Sequence, residues 1–126
     1  FIHMKRLFNS IATLRGDEIE ATHLLTGENL GQVSSQTLGN LGGVEIVTPL
    51  LPLRPLLAFD KVAIMTMARK IGTLEISEGP EVCDTLGPSK PTTVANKEWL
   101  EQSEERVGGL QQLASSCYSE KRSVQL

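Results

Sequence analysis

The apolar residues of this chain first recur at helical spacing. Met4, Leu7, Phe8 and Ile11 predict a helix over 1–15 that covers a sheet with this face and stops at Gly16. Residues 17–20 make an acidic connector, and Ala21 to Leu25 read as a buried strand in which His23 alternates with apolar neighbours. The turn Thr26-Gly27-Glu28 follows. From about Leu30 a second helical pattern begins, with Leu30, Val33, Thr37, Leu38 and Leu41 on one face, expected to dock on a sheet. Gly42-Gly43 should end that helix, and the β-branched run Val44 to Val47 should form a parallel strand.

Further along, prolines 49, 52 and 55 favour extended, edge-like chain over an interior strand. Asp60 is a suitable N-cap for a helix with Ile64, Met65, Ala68 and Ile71 facing inward and Gly72 as its stop. Residues 73–94 read as loop, punctuated by Gly79-Pro80, Gly87-Pro88 and Pro91. An Asn96-capped helix carries Trp99 and Leu100. Gly108-Gly109 breaks it, and Leu110, Leu113, Ala114 and Cys117 resume helical spacing before a frayed end or short final strand. Strand, glycine turn and helix in this order predict an open, mostly parallel α/β sheet flanked by helices, whose carboxyl edge is the usual place for a ligand.

At 126 residues the chain has the length of one domain. Its net charge of -3 and pI near 5.4 argue against strong nucleic-acid binding by these residues alone, because neutralising phosphates needs a basic surface. Two cysteines, Cys83 and Cys117, make no disulfide framework and point to a reducing cytoplasm. No apolar run is long enough to cross a bilayer, so no membrane association is expected. The chain opens on Phe1 in the middle of a helical pattern and is expected to be a fragment of a longer protein or a split-gene subunit.

Several residues stand out chemically. Gln32, Ser34, Ser35 and Gln36 would give the second helix an uncharged polar face, suited to a polar ligand rather than to water alone. Arg54 lies between apolar pairs, either snorkelling from a packed segment or clamping a phosphate or carboxylate at the sheet edge. Lys61 falls in the first turn of its helix, where a cation opposes the macrodipole and a bound anion would compensate. Cys83 sits in a polar, proline-marked loop, unlike a core cysteine; Asp84 opposes thiolate formation there, while Lys90 and Lys61 would favour it. Cys117 lies on an apolar helical stripe and reads as packing, with a resolving role against Cys83 as the alternative. His3 reads as a boundary histidine. No zinc-site spacing is present.

The run TGENLGQVSSQTL (26–38), followed by LRPL (53–56), DK (60–61), ARKIGT (68–73) and Cys83, closely resembles the 4-thiouridine tRNA sulfurtransferases of the PP-loop ATP pyrophosphatase superfamily. The resemblance covers roughly residues 1 to 95. It implies that these residues form the carboxy-terminal half of a Rossmann-like, adenine nucleotide alpha hydrolase-like domain, with 96–126 as a helical extension. It also implies a two-stage reaction. ATP, with Mg, adenylates a uridine carbonyl of tRNA, and a cysteine persulfide loaded by a cysteine desulfurase then delivers sulfur to that carbon. The family can also feed thiamine thiazole synthesis.

By the same resemblance, Thr26, Gly27, Glu28, Gly31 and Gln32 border the adenylate and target base, and Gln36 orients them. Arg54 and Lys61 meet phosphate or transition-state charge, and Cys83 carries or relays sulfur. The family's SGGxDS loop, its amino-terminal RNA-binding region and a rhodanese-like domain are not among these residues. The chain alone is therefore expected not to turn over. It would work beside a separate chain carrying SGGxDS, bind tRNA through regions not present here, and could form a homodimer. A non-catalytic adaptor or degenerate paralogue keeping the fold is the alternative. A different PP-loop ligase acting on a small molecule is a third reading.

Overall fold

The computed structural model describes residues 1–30, 37–79 and 94–124. Helix α1 (Ile2–Glu18) is followed by β1 (His23–Leu25), α2 (Leu38–Glu45), β2 (Leu51–Leu53), α3 (Lys61–Lys70), α4 (Leu74–Ser77), α5 (Lys97–Glu105) and α6 (Leu110–Ser119). The two strands form a parallel pair, with His23 opposite Leu51 and Leu25 opposite Leu53. An open parallel sheet flanked by helices is the expected class, although the strand after α2 is displaced. Val44 and Glu45 belong to α2, and Ile46 is its C-cap.

The strand lies instead within the proline-rich segment, and the direction of its hydrogen bonds explains why. Leu51 N donates to Thr22 O at 3.0 Å, and Leu53 O accepts from Thr26 N at 2.9 Å. Leu51 and Leu53 thus turn towards β1, and the missing amide of Pro52 falls on the outer edge, where no ladder bond is lost. The expected buried strand at 21–25 is short and mostly exposed, with Leu25 70% accessible.

Helix α1 runs beyond Gly16 to Glu18 and packs against both α2 and α6. Its buried residues are Arg6, Asn9, Ser10 and Gly16, whereas Met4 and Phe8 of the predicted inward face are exposed. The physical reason lies in α2. Its last turn leaves carbonyls without intrahelical partners. Arg6 Nη1 donates to Gly43 O at 2.7 Å and Asn9 Nδ2 to Val44 O at 3.1 Å. Gly16 is needed for approach: a Cβ there would stand 3.1 Å from Leu50 Cδ1.

Thr37 N-caps α2, its side chain accepting from Asn40 N. Leu41 and Val44 are buried, but Leu38 and Leu30 are exposed, so the predicted five-residue stripe does not form; its Val33 lies outside the described residues. Gly42-Gly43 does not stop the helix, and Gly43 lets it close on Ala95, whose Cβ would be 3.2 Å from one at position 43. Asp60 caps α3 as expected, accepting from Ala63 N at 2.7 Å, and Gly72 ends it at φ 77°. Ile64, Met65 and Ala68 are half-buried, while Ile71 is exposed. Leu74 to Ser77 form a helical turn where loop was expected.

Asn96 caps α5 through Trp99 N at 2.8 Å, and Gly108 and Gly109 turn the chain at φ 98° and 87° into α6. Ala114 and Leu100 are core residues, but Cys117 is exposed, correcting its place on a packed stripe. A buried ion pair fastens α5 to α1: Arg6 Nε and Nη2 donate to the two oxygens of Glu104 at 2.6 and 2.9 Å. His3 completes the junction, with Nδ1 3.1 Å from Glu104 Oε1, Nε2 3.0 Å from Ser103 Oγ, and its ring tilted against Trp99. Among the described residues, no helix is long and apolar enough to cross a membrane.

Candidate functional site

Where β1 and β2 end side by side, the chain makes two tight departures. The Thr26–Glu28 turn leaves β1, and Arg54 leaves β2. Thr26 N bonds to Leu53 O at 2.9 Å and Leu30 N to Leu57 O at 3.0 Å, so the two departing segments travel together. Asn29, 4% exposed, reinforces them by donating Nδ2 to Leu56 O at 2.8 Å and to Phe59 O.

Glu28 is the centre of this edge. Its Oε1 accepts from Lys5 Nζ at 2.8 Å, and its Oε2 accepts from Arg54 Nε at 2.8 Å and from Thr26 Oγ1 at 3.3 Å. Arg54 Nη2 lies 2.8 Å from Glu45 Oε2. Four alternating charges therefore run Lys5, Glu28, Arg54, Glu45, one each from α1, the first turn, the second departure and the end of α2. Burial works against ionisation of Glu28, but hydrogen bonds and charge from Lys5 and Arg54 outweigh it and hold its pKa below the usual glutamate value. Burial likewise opposes the charge on Arg54, and Glu28 and Glu45 more than restore it. With both oxygens committed to cations, Glu28 is suited to fixing geometry rather than to taking up a proton.

Gly27 differs from the turn glycines Gly72, Gly108 and Gly109. Its φ is not positive, and a Cβ there would meet nothing within 4 Å among the described residues. Neither backbone conformation nor packing among the described residues calls for glycine. The main-chain amides of Gly27 and Glu28 make no hydrogen bond among the described residues. Among the described residues the turn thus leaves open space at Gly27 and two amide donors uncommitted. Beside it, an almost wholly apolar groove of about 270 Å³ is lined by Phe8, Ala12, Leu24 and Val44, with Lys5, Thr26 and Glu28 among its polar members.

Of the residues singled out in the sequence, the structure joins Thr26, Glu28 and Arg54 directly and places Gly27 between the first two. Arg54 does not snorkel: its guanidinium is held between the chain's own carboxylates of Glu28 and Glu45. Lys61 is the exposed first residue of α3 and makes no ion pair among the described residues. Gly31, Gln32, Gln36 and Cys83 lie outside the described residues, as do Ser34, Ser35, Asp84 and Lys90. Sequence reasoning missed Lys5, Asn29 and Glu45. Asn29 adjoins the motif and could have been taken with it. Lys5 and Glu45 carried no local signal.

The family model described as thiamine biosynthesis protein (ThiI) matches residues 1–108. The chain belongs to the ThiI family. A tRNA sulfurtransferase of Psychromonas ingrahamii is 46% identical over 104 residues, covering 82% of this chain and 21% of that protein. One from Aeromonas hydrophila is 45% identical over 103 residues, covering 81% of this chain and 21% of the relative. Among solved structures, the crystal structure of a 4-thiouridine synthetase–RNA complex with bound ATP is similar with a TM-score of 0.84. It is 38% identical, and the match covers 96% of this chain and 32% of that one. This ThiI-family chain thus spans about a fifth of the length of the curated relatives it matches.

Proposed function

We propose that this chain forms part of the catalytic domain of a tRNA sulfurtransferase that makes 4-thiouridine. One observation carries the reading: the Thr26–Glu28 turn is locked to Arg54 at the carboxyl ends of two parallel strands, where open α/β sheets bind ligands. Family membership and the likeness to a synthetase with RNA and ATP bound support it. In this reading ATP, with Mg²⁺, supplies the adenylyl group that makes the uridine oxygen a leaving group, and a persulfide loaded by a cysteine desulfurase supplies sulfur.

The residues present fit the nucleoside part of such a substrate better than its phosphates. Lys5 and Arg54 are balanced by Glu28 and Glu45, so the edge carries no surplus positive charge. What it offers, among the described residues, is the open face of Gly27 and the uncommitted amides of Gly27 and Glu28, which suit a base or ribose approaching the backbone closely. Thr26, Gly27, Glu28, Gly31 and Gln32 border the nucleotide and target base, and Gln36 orients them. Lys61, exposed and without an ion pair among the described residues, meets phosphate charge at the α3 amino end, where helix and ligand would reinforce each other. Cys83 carries or relays the sulfur.

Residues 1–95 belong to the PP-loop pyrophosphatase domain in this reading, and 96–126 are an extension clasping α1. The tRNA is held mainly by other parts of the relatives' length, in the cytoplasm, and an SGGxDS segment completes the phosphate site.

The test is mass spectrometry after incubation with a cysteine desulfurase and cysteine, with trapping and peptide mapping. One added sulfur on Cys83, absent in Cys83→Ser and retained in Cys117→Ser, is the expected result. No added sulfur, with an active desulfurase, would overturn the sulfur-carrying role and favour a non-catalytic adaptor that retains the fold.

A further inference from the structure

The geometry points to Lys5 and Glu45 as positioning residues for the nucleotide edge, acting on it through Glu28 and Arg54; this inference rests on the function proposed above. Neither residue belongs to the TGENLGQVSSQTL or LRPL runs that mark the edge in the sequence. Each nonetheless holds one end of the charge chain that shapes it.

Lys5 reaches the turn from α1. Its Nζ lies 2.8 Å from Glu28 Oε1, and Arg54 Nε lies 2.8 Å from Oε2. The carboxylate is therefore held at both oxygens, from two different elements, and its rotation about the last side-chain bond is stopped. A carboxylate gripped by Arg54 alone could pivot about that single partner. Because Glu28 is also the third residue of the turn, holding its side chain steadies the backbone of Gly27 and Glu28, whose amides bond to no described residue. The side chain of Glu28 is only 10% exposed and that of Lys5 26% exposed, so solvent screens this pair weakly.

Glu45 does the same for Arg54. A guanidinium bound through Nε alone can swing. With Nη2 also fixed 2.8 Å from Glu45 Oε2, its plane is set by two carboxylates on different segments. Glu45 is the last residue of α2, whose carbonyls at 43 and 44 are tied to α1 by Arg6 and Asn9. The orientation of Arg54 is thereby referred to the same helix that presents Lys5. Both ends of the chain rest on α1.

The test uses the whole enzyme that carries this chain, with ATP, a cysteine desulfurase, cysteine and unmodified tRNA, scored by 4-thiouridine formed. Lys5→Met and Glu45→Gln are each expected to raise the ATP KM or lower kcat so that kcat/KM falls about tenfold to a hundredfold, as small misplacements of a site do. Lys5→Arg, which keeps the cation, should return kcat/KM to within a few-fold of wild type. Far-ultraviolet circular dichroism and the melting temperature report folding separately. A lowered melting temperature with unchanged kcat and KM in both Lys5→Met and Glu45→Gln would mean that the chain of charges only braces the fold, and would overturn the inference. Failure of the wild-type enzyme to form 4-thiouridine would instead overturn the reading on which it rests.

Discussion

Arg6 and Glu104, at sequence separation 98, form a two-pronged ion pair sealed between α1 and α5, with side chains 2% and 8% exposed. The same guanidinium closes off the Gly43 carbonyl at the end of α2. One side chain thus joins three helices, and it does so from the face of α1 that a hydropathy pattern assigns to solvent.

Removing one partner should strand the other in a buried site, Arg6 with only the Gly43 carbonyl or Glu104 with only His3. Glu104→Leu, or Arg6→Met, is expected to cost about 3–5 kcal/mol. The double variant should recover a substantial part of the loss, because the buried charge goes with its counter-ion. Urea titrations of the two single variants and the double variant check this, and additive losses would show that the pair is not coupled.

Acid should loosen the protein in a defined direction. Burial resists ionisation of Glu28 and Glu104, but Lys5 and Arg54 at the first, and Arg6 and His3 at the second, lower both pKa values below the ordinary 4.5. A carboxyl with a depressed folded-state pKa stabilises above its unfolded pKa, and that stability is lost as pH falls through the folded value. Stability should therefore be nearly level from pH 7 to about 5 and decline increasingly below about 4.5. In Glu104→Gln the acid limb should be shallower, read from melting temperatures across the series.

Gly27→Ala separates folding from function. The new methyl meets no described atom within 4 Å and the backbone needs no positive φ, so stability should hold or rise by about 0.4–1 kcal/mol. If a nucleotide approaches this turn, the same methyl stands in its way, and the ATP KM should rise with no loss of melting temperature. Unchanged kinetics would remove Gly27 from the site.

Leu100, 2% exposed, anchors α5 beside Gly43. Leu100→Ala should cost about 2–5 kcal/mol as a cavity, and Asn96→Ala about 1 kcal/mol through the lost cap on Trp99 N. Chemical denaturation of each variant distinguishes the two magnitudes, and a cap loss as large as the cavity loss would contradict the assignment.

Features set by three or four neighbouring residues were legible in the sequence. Asp60 and Asn96 cap their helices, and Gly72 and Gly108-Gly109 end or turn the chain, because capping and positive φ are local chemistry. The turn at Thr26–Glu28 and Arg54 could each be singled out because each sits in a distinctive run, but their pairing could not. What failed was set at a distance. Arg6 and Asn9 are buried because carbonyls at 43 and 44 need donors, and nothing near residue 6 announces that need. A strand formed at Leu51–Leu53 rather than 44–47 because the proline's missing amide lies on an outer edge, which only the partner strand determines. Lys5 and Glu45 were invisible for the same reason.

The role of α1 as the common support has a consequence for how the protein is made. Helix α1 is complete at Glu18, yet its partner α6 begins at Leu110. At about 5–20 residues per second of synthesis, α1 waits roughly 5–20 seconds for the helix that covers it. During that interval its flank, with Phe8 still half-exposed even in the finished fold, stands open beside the ribosome. Chaperone binding to the nascent chain should accordingly be concentrated on α1, and a ribosome stalled before residue 110 should hold a nascent chain that proteases cut within that helix.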